Sequence, residues 1–112
     1  MNLESVLRCG TNVLTVRENR IDAAIALQFK DVMRRATSDG PSRIILDLRH
    51  VDFVDSSGLG AIVGAMKQLP QGKTIELAGL TVTVAKVFEL TRMDTIFLIH
   101  TDLESAFEDE EV

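Results

Sequence analysis

The sequence predicts an α/β fold in a single domain: a mixed central β-sheet, mainly parallel in its core with an N-terminal hairpin added, flanked by about four helices. Three observations carry that expectation. Residues 44–48, Ile-Ile-Leu-Asp-Leu, are almost continuously apolar, as in parallel strands that are covered on both faces and lose the in/out alternation. Behind Asp55, apolar residues recur at Leu59, Ile62, Val63, Met66 and Leu69, the 3.6-residue spacing of one helix face. Short β-type runs and helical stretches alternate along the chain in the order β-β-α-β-α-β-α-β-α. Such alternation, with short connections, gives parallel strands joined by right-handed crossovers.

Taken in order, residues 5–8 and 13–16 are β-type runs around Cys9-Gly10-Thr11-Asn12. Gly10 and Asn12 both tolerate positive φ, so a hairpin is predicted. Cys9 has no His or second Cys near it in sequence and reads as structural or incidental. Residues 17–20 are polar, and Asn19 again tolerates a left-handed backbone. Asp22 reads as the N-cap of a helix that buries Ile25, Phe29, Val32 or Met33, and Ala36. Ser-Asp-Gly-Pro-Ser at 38–42 ends it. The strand at 44–48 is followed by a polar break, a second apolar touch-down at Phe53-Val54, and a helix whose mouth Ser56 or Ser57 can cap. Pro70-Gln71-Gly72 closes that helix. Residues 74–78 read as a strand with Ile75 and Leu77 on one face, ended by Gly79. Val84, Val87, Phe88 and Thr91 mark a short helix, residues 95–99 a last strand, and Asp102 the cap of a final helix using Leu103, Ala106 and Phe107. Residues 108–112 are an acidic tail, expected to be solvated and frayed.

A chain of 112 residues has room for one core, here spanning about 3–107. A domain of that size buries roughly two thirds of the surface its unfolded form exposes, enough to stand without metal or disulfide staples. The 46% hydrophobic content excludes a disordered chain. No apolar run approaches the ~20 residues of a membrane helix. The N-terminus lacks the basic start and apolar core of a signal peptide, and the single cysteine cannot form an internal disulfide. A cytoplasmic protein without membrane insertion is expected. A net charge of −5, scattered Arg and Lys, and the lack of Trp and Tyr argue against a nucleic-acid partner. A protein partner fits better. Oligomeric state is not readable from the sequence.

No cofactor or metal site is expected. His50 and His100 each follow a predicted strand, with no Cys or Glu at metal-ligand spacing, and read as solvated strand-end residues. A serine at a strand-to-helix turn is the geometry of the hydrolase nucleophile elbow, whose motif is Gly-x-Ser-x-Gly. With Ser56 as nucleophile, Val54 holds the first glycine position. The phosphate cradles GxxxxGK[ST] and GxGxxG are absent, leaving only Gly58-Leu59-Gly60. An enzyme is not predicted. A helix N-terminus does favour anions, so a phosphate carried covalently on Ser56 or Ser57 would sit well there.

Residues 53–60, Phe-Val-Asp-Ser-Ser-Gly-Leu-Gly, strongly resemble the signature of the STAS domain as found in bacterial anti-sigma factor antagonists. A strand ending in Asp47-Leu48 and a polar connector precede it as in that family, and the resemblance runs from about Leu3 to Phe107. Asp22, followed by Ala26, Phe29 and Met33, matches the family's first-helix pattern. The resemblance implies a partner switch. The unphosphorylated antagonist binds an anti-sigma factor and frees its sigma factor. The anti-sigma factor is typically an ATP-dependent serine kinase, which phosphorylates the antagonist and so releases it; a PP2C-type phosphatase reverses the mark. By the same resemblance Ser56 is the phosphoacceptor, Asp55 flanks it at the kinase contact, and Ser57 is an auxiliary hydroxyl. Gly58 and Gly60 would let the partner backbone approach, Leu59 lies between them in the binding stretch, and Asp22 shares the rim.

Two departures stand out. Asn19 holds a place where the family commonly has glycine, and Arg92-Met93-Asp94 replaces a connector that often contains glycine. The second puts the local loop shape, and one edge of the partner surface, at issue. STAS domains also serve in stress-signalling scaffolds, as small cytosolic subunits of lipid transporters and as tails of anion transporters. The alternative is therefore the same fold acting as a switch, scaffold or transporter subunit on a non-sigma partner. The phosphorylatable Ser56, with no membrane segment or added sensory domain expected, weighs toward the antagonist.

Overall fold

The computed structural model describes residues 1–110, with side chains through Glu108. In chain order its regular elements are β1 (Leu3–Arg8), β2 (Thr11–Val16), β3 (Arg20–Ile21), α1 (Ala26–Thr37), β4 (Arg43–Asp47), β5 (Phe53–Val54), α2 (Ser56–Lys67), β6 (Thr74–Ala78), α3 (Val82–Leu90) and β7 (Ile99–His100). Two 3₁₀ helices, Met93–Thr95 and Ser105–Glu110, complete them. Five strands form one sheet in the order β1-β2-β4-β6-β7, with β1 antiparallel to β2 and the rest parallel. The predicted mixed sheet with a parallel core and an N-terminal hairpin is present.

Cys9 and Gly10 turn the hairpin at φ 50° and 71°, the double left-handed geometry that matches strand twist in a two-residue loop. Asn12, predicted as a turn residue, is instead buried in β2. Its amide donates to Ala36 O at 3.1 Å and its carbonyl accepts from Ser5 Oγ at 2.8 Å, tying the hairpin to α1.

Alternation along the central strands divides the apolar run between two faces. Leu14, Ile44, Leu46, Ile75 and Leu77 meet Phe29 and Met33 of α1, Ile62 and Ala65 of α2, and Val84 and Phe88 of α3 in the main core. Val13, Ile45 and Ala78 form a second, smaller core with Leu103, Ala106 and Phe107 from the C-terminal segment. Burial on both faces is why residues 44–48 carry no alternation in the sequence.

The C-terminal segment is where the helix expectation changes. Asp102 does cap it, accepting from Ser105 N at 2.7 Å and Ser105 Oγ at 2.8 Å. The capped turn is a 3₁₀ helix, so the described residues hold three α-helices where about four are predicted. Side-chain bonds hold it down. Arg8 makes two 3.0 Å bonds to Glu104, and Arg43 donates to Ala106 O at 2.7 Å. Their guanidinium carbons lie 4.3 and 5.4 Å from the Phe107 ring centroid. His100, read from sequence as solvated, belongs here too: its Nε2 is 2.7 Å from Glu76 Oε1, which Arg43 also holds at 2.9 Å. Burial pushes the Glu76 carboxyl up, but hydrogen bonds and charge from Arg43 and His100 outweigh it and hold the group below its ordinary value. Of the acidic tail, Glu108 is exposed and residues 111–112 lie outside the described chain.

The last strand is shorter and later than residues 95–99: only Ile99 and His100 pair with β6. Phe97 is diverted into the main core against Phe88, ring centroids 5.9 Å apart, so the chain cannot run straight through it. Thr91 ends α3, and Arg92 takes φ 60°, ψ 19°, donating its N–H to Glu89 O. That is the position after a helix end where glycine is favoured. Asn19, by contrast, is not left-handed. A non-glycine residue in this region costs about 1–2 kcal/mol, and glycine returns part of that through its own entropy loss. Arg92→Gly is therefore expected to raise stability by about 0.5–1 kcal/mol, read as a thermal midpoint a few degrees higher; an unchanged or lower midpoint would contradict the left-handed assignment.

Candidate functional site

The site is built by two strands of two residues each. β3 and β5 pair in parallel, Arg20 opposite Phe53 and Ile21 opposite Val54, in a small sheet of their own. The sequence shows the touch-down at Phe53-Val54 but not its partner. Because each strand is followed by an aspartate, the parallel register sets Asp22 and Asp55 side by side.

Asp55, with extended backbone (φ −92°, ψ −176°), is the N-cap of α2. Its Oδ1 accepts from Gly58 N at 2.8 Å and its Oδ2 from Ala23 N at 3.2 Å. The cap is thus Asp55, not Ser56 or Ser57, which are the first two helical residues and are both exposed. The reason is positional. The capping residue must keep an extended backbone, and the serines have already turned into the helix.

Asp22 also differs from its predicted role. The helix begins at Ala26 with Ile25 at its cap position and no side-chain cap. Asp22 instead closes the turn leading in, accepting from Ala24 N at 3.1 Å and from Arg20 Nε at 3.0 Å, while its carbonyl accepts from Ile25 N and Ala26 N. Arg20, which the sequence does not single out, thereby meets the Asp22 carboxylate, and its guanidinium carbon lies 4.7 Å from the Phe53 ring centroid. Phe53 remains 40% exposed beside the site.

The two signature glycines have different surroundings. Gly58 is buried, and a Cβ built on it would overlap the carbonyl oxygen of Ile21. Its free side is taken by its own chain, so the approach it permits is that of α2 onto β3, not that of a partner backbone. Gly60 has open space where a side chain would stand. Leu59 is half-buried against the main core. Upstream, buried Asp47 accepts from Thr15 Oγ1 and from Arg49 N, both at 3.2 Å, and fixes the start of the connector that delivers β5.

Ser56 therefore presents an exposed hydroxyl at the mouth of α2, directly after the capping Asp55. Both histidines are engaged elsewhere: His50 with Arg17 and Arg49 at 3.2 and 3.3 Å, His100 with Glu76. Neither histidine is thus placed to activate the Ser56 hydroxyl as a nucleophile.

A hairpin-led mixed sheet whose signature strand ends in a capped, serine-bearing helix defines the class. The chain belongs to the STAS domain family, which matches residues 4–106. Among its relatives, the anti-sigma-B factor antagonist of Staphylococcus aureus (strain NCTC 8325 / PS 47) is 27% identical over 85 residues, 75% of this chain and 79% of that protein. A Thermotoga maritima protein assigned as an anti-sigma factor antagonist shares the structure with a TM-score of 0.81 at 25% identity, covering 98% of this chain and 95% of that one. An anti-sigma factor antagonist from Mycobacterium paratuberculosis superposes with a TM-score of 0.85 at 20% identity, over 99% and 94% of the two chains. The fold is also that of a sulfate transporter family protein from Wolinella succinogenes (TM-score 0.75, 16% identity, 90% and 84% covered), so fold alone does not choose the function. Among the described residues no helix is long and apolar enough to cross a membrane.

The glycine surroundings separate packing from exposure. Gly58→Ala is expected to cost about 3 kcal/mol, since backbone must move to admit the methyl group. Gly60→Ala should be neutral or stabilising by up to about 1 kcal/mol, alanine being the better helix former. Denaturant titration of both variants checks the contrast, and equal effects would remove it.

Proposed function

We propose that this chain is a cytoplasmic anti-sigma factor antagonist working as a phosphorylation-controlled partner switch, with Ser56 as its phosphoacceptor. The observation that carries the reading is the exposed Ser56 hydroxyl at the first turn of α2, on a helix mouth fixed by Asp55. The name of the S. aureus relative supports the output, and the intact signature supports the residue. In this reading the unphosphorylated chain binds an anti-sigma factor that is also an ATP-dependent serine kinase, freeing the sigma factor. A PP2C-type phosphatase resets it. Ser57, Leu59 and Gly60 supply the surface around Ser56, while Asp55, Gly58 and Asp22 act first by holding that surface in shape.

The phosphate works at the interface rather than on the fold. Phosphoserine brings roughly −1.5 to −2 charges. At a helix N-terminus the backbone dipole favours an anion by about 0.3–1 kcal/mol, and the neighbouring Asp55 carboxylate offsets a similar amount by repulsion. The fold is left nearly indifferent. A partner that must cover Ser56 instead meets a bulky dianion it has to desolvate.

Ser56→Ala is expected to bind the kinase constitutively and Ser56→Asp to bind poorly, both with circular dichroism matching the natural chain. Mapping the phosphate by mass spectrometry after incubation with kinase and ATP should place it on Ser56; phosphate chiefly on Ser57 or a threonine would reject the assignment.

Asp22 supplies a separate check. Asparagine can still accept from Ala24 N but turns an NH₂ toward Arg20 Nε, so Asp22→Asn should lower the melting temperature only slightly, the Arg20 side chain being largely exposed. Its affinity for the kinase should nonetheless fall, because the charge on the rim is lost. Unaltered affinity would leave Asp22 with the turn alone.

A further inference from the structure

The two edges of the main sheet are not alike. β7 exposes only two residues, Ile99 and His100, too short to template another chain. β1 is six residues long and pairs with β2 without a bulge from Leu3↔Val16 to Arg8↔Thr11. It carries no proline and no lysine, the usual guards of an edge. Val6 and Leu7 are 57% and 70% exposed.

The hairpin register decides which backbone groups face outward. Arg8 and Thr11 close the two-residue turn, so Arg8, Val6 and Glu4 exchange bonds with β2, and Asn2 continues the series by accepting from Arg17 N. The alternate residues, Leu3, Ser5 and Leu7, direct their N–H and C=O groups away from β2.

We propose that β1 is a self-association edge: two copies of this chain pair antiparallel through β1 about a two-fold axis at Val6, joining their sheets. In that register Ser5 of one copy and Leu7 of the other form reciprocal backbone hydrogen bonds, and Val6 faces Val6 across the axis. Glu4 falls directly opposite Arg8 of the second copy, and Arg8 opposite its Glu4. Within one chain Glu4 already pairs with Arg17 at 3.0 Å, and Arg8 with Glu104 at 3.0 Å. The pairing links these into an alternating series of Arg17, Glu4, Arg8 and Glu104 that crosses the axis with no like charges adjacent. Such cross-strand opposite charges favour one register over its neighbours. A register centred on Ser5 sets Glu4 against Val6 and loses this match. The arrangement is isologous and closes at two copies. With little beyond one strand buried on each side, the dimer is reversible and concentration-dependent.

Directly opposed residues in a non-hydrogen-bonded antiparallel pair have Cα atoms about 4.5 Å apart, within the roughly 4.4–6.8 Å a disulfide spans. Val6→Cys in a Cys9→Ser background should therefore cross-link readily under mild oxidation. Leu7→Cys in the same background should not, because it lies opposite Ser5. Sedimentation velocity across a concentration series should show the natural chain moving from monomer to dimer. Leu7→Pro, which removes an outward N–H and leaves the β2 bonds in place, should abolish that dimer while keeping native circular dichroism. A natural chain that stays monomeric throughout the series, equal cross-linking at positions 6 and 7, or a folded Leu7→Pro variant that still dimerises would overturn the proposal. None of these variants touches Ser56, so the outcome is independent of the phosphorylation reading.

Discussion

One carboxylate, that of Asp55, holds together the three stretches of chain from which the site is made. One oxygen caps α2 through Gly58 N, the other takes Ala23 N from the turn entering α1, and the residue itself ends β5. Both partners are backbone donors, so the group must accept on both arms. A carboxylate does this, whereas an asparagine would point an NH₂ at one of the two N–H groups. Losing a cap of this kind typically costs about 0.5–2 kcal/mol. More than stability rides on it here, because the same contact fixes where α1 begins relative to Ser56.

Gly58 makes that contact sterically possible. Its missing side chain lets the first turn of α2 lie against the Ile21 carbonyl, which brings Ala23 within reach of Asp55. The β3–β5 pair and the Arg20–Asp22 bond fill the remaining degrees of freedom. The serine is thereby displayed on a rigid frame. On the proposed reading, such a frame lets partners exchange by a surface change alone, with no conformational transition inside the domain.

Much of the fold is legible in the sequence because apolar period survives in elements of five residues or more. The stripes of α2 and α3 show this directly, and the doubly buried β4, which has no period, shows instead as a nearly unbroken apolar run. Elements of two residues have no period, which is why β3 is invisible in the sequence and β7 reads as too long. At the site, Asp55, Ser56 and Ser57 are all good capping residues, and composition alone cannot say which one keeps an extended backbone. The family signature points to the right stretch. It does not show that Gly58 faces inward, since that depends on a strand more than thirty residues upstream. His100 reads as solvated for the same reason: its partner Glu76 is distant in sequence and adjacent only across the β6–β7 pairing. Arg92 shows the converse, a backbone conformation kept although the residue that eases it is absent.

The unequal covering of the sheet has a kinetic corollary. The three α-helices of the described residues and most of the apolar side chains lie on one face, while Val13, Ile45 and Ala78 on the other are sealed by a short 3₁₀ segment held through half-buried Arg8 and Arg43, of whose partners Glu104 is exposed. Such a segment can lift away without dismantling the main core, because little of that core passes through it. Backbone amides beneath it on β2 and β4 then gain access to water by partial opening, on a shorter timescale than full unfolding. The two sides of the sheet are thus closed by unequal thicknesses of structure, and the serine-bearing helix is built into the thicker one.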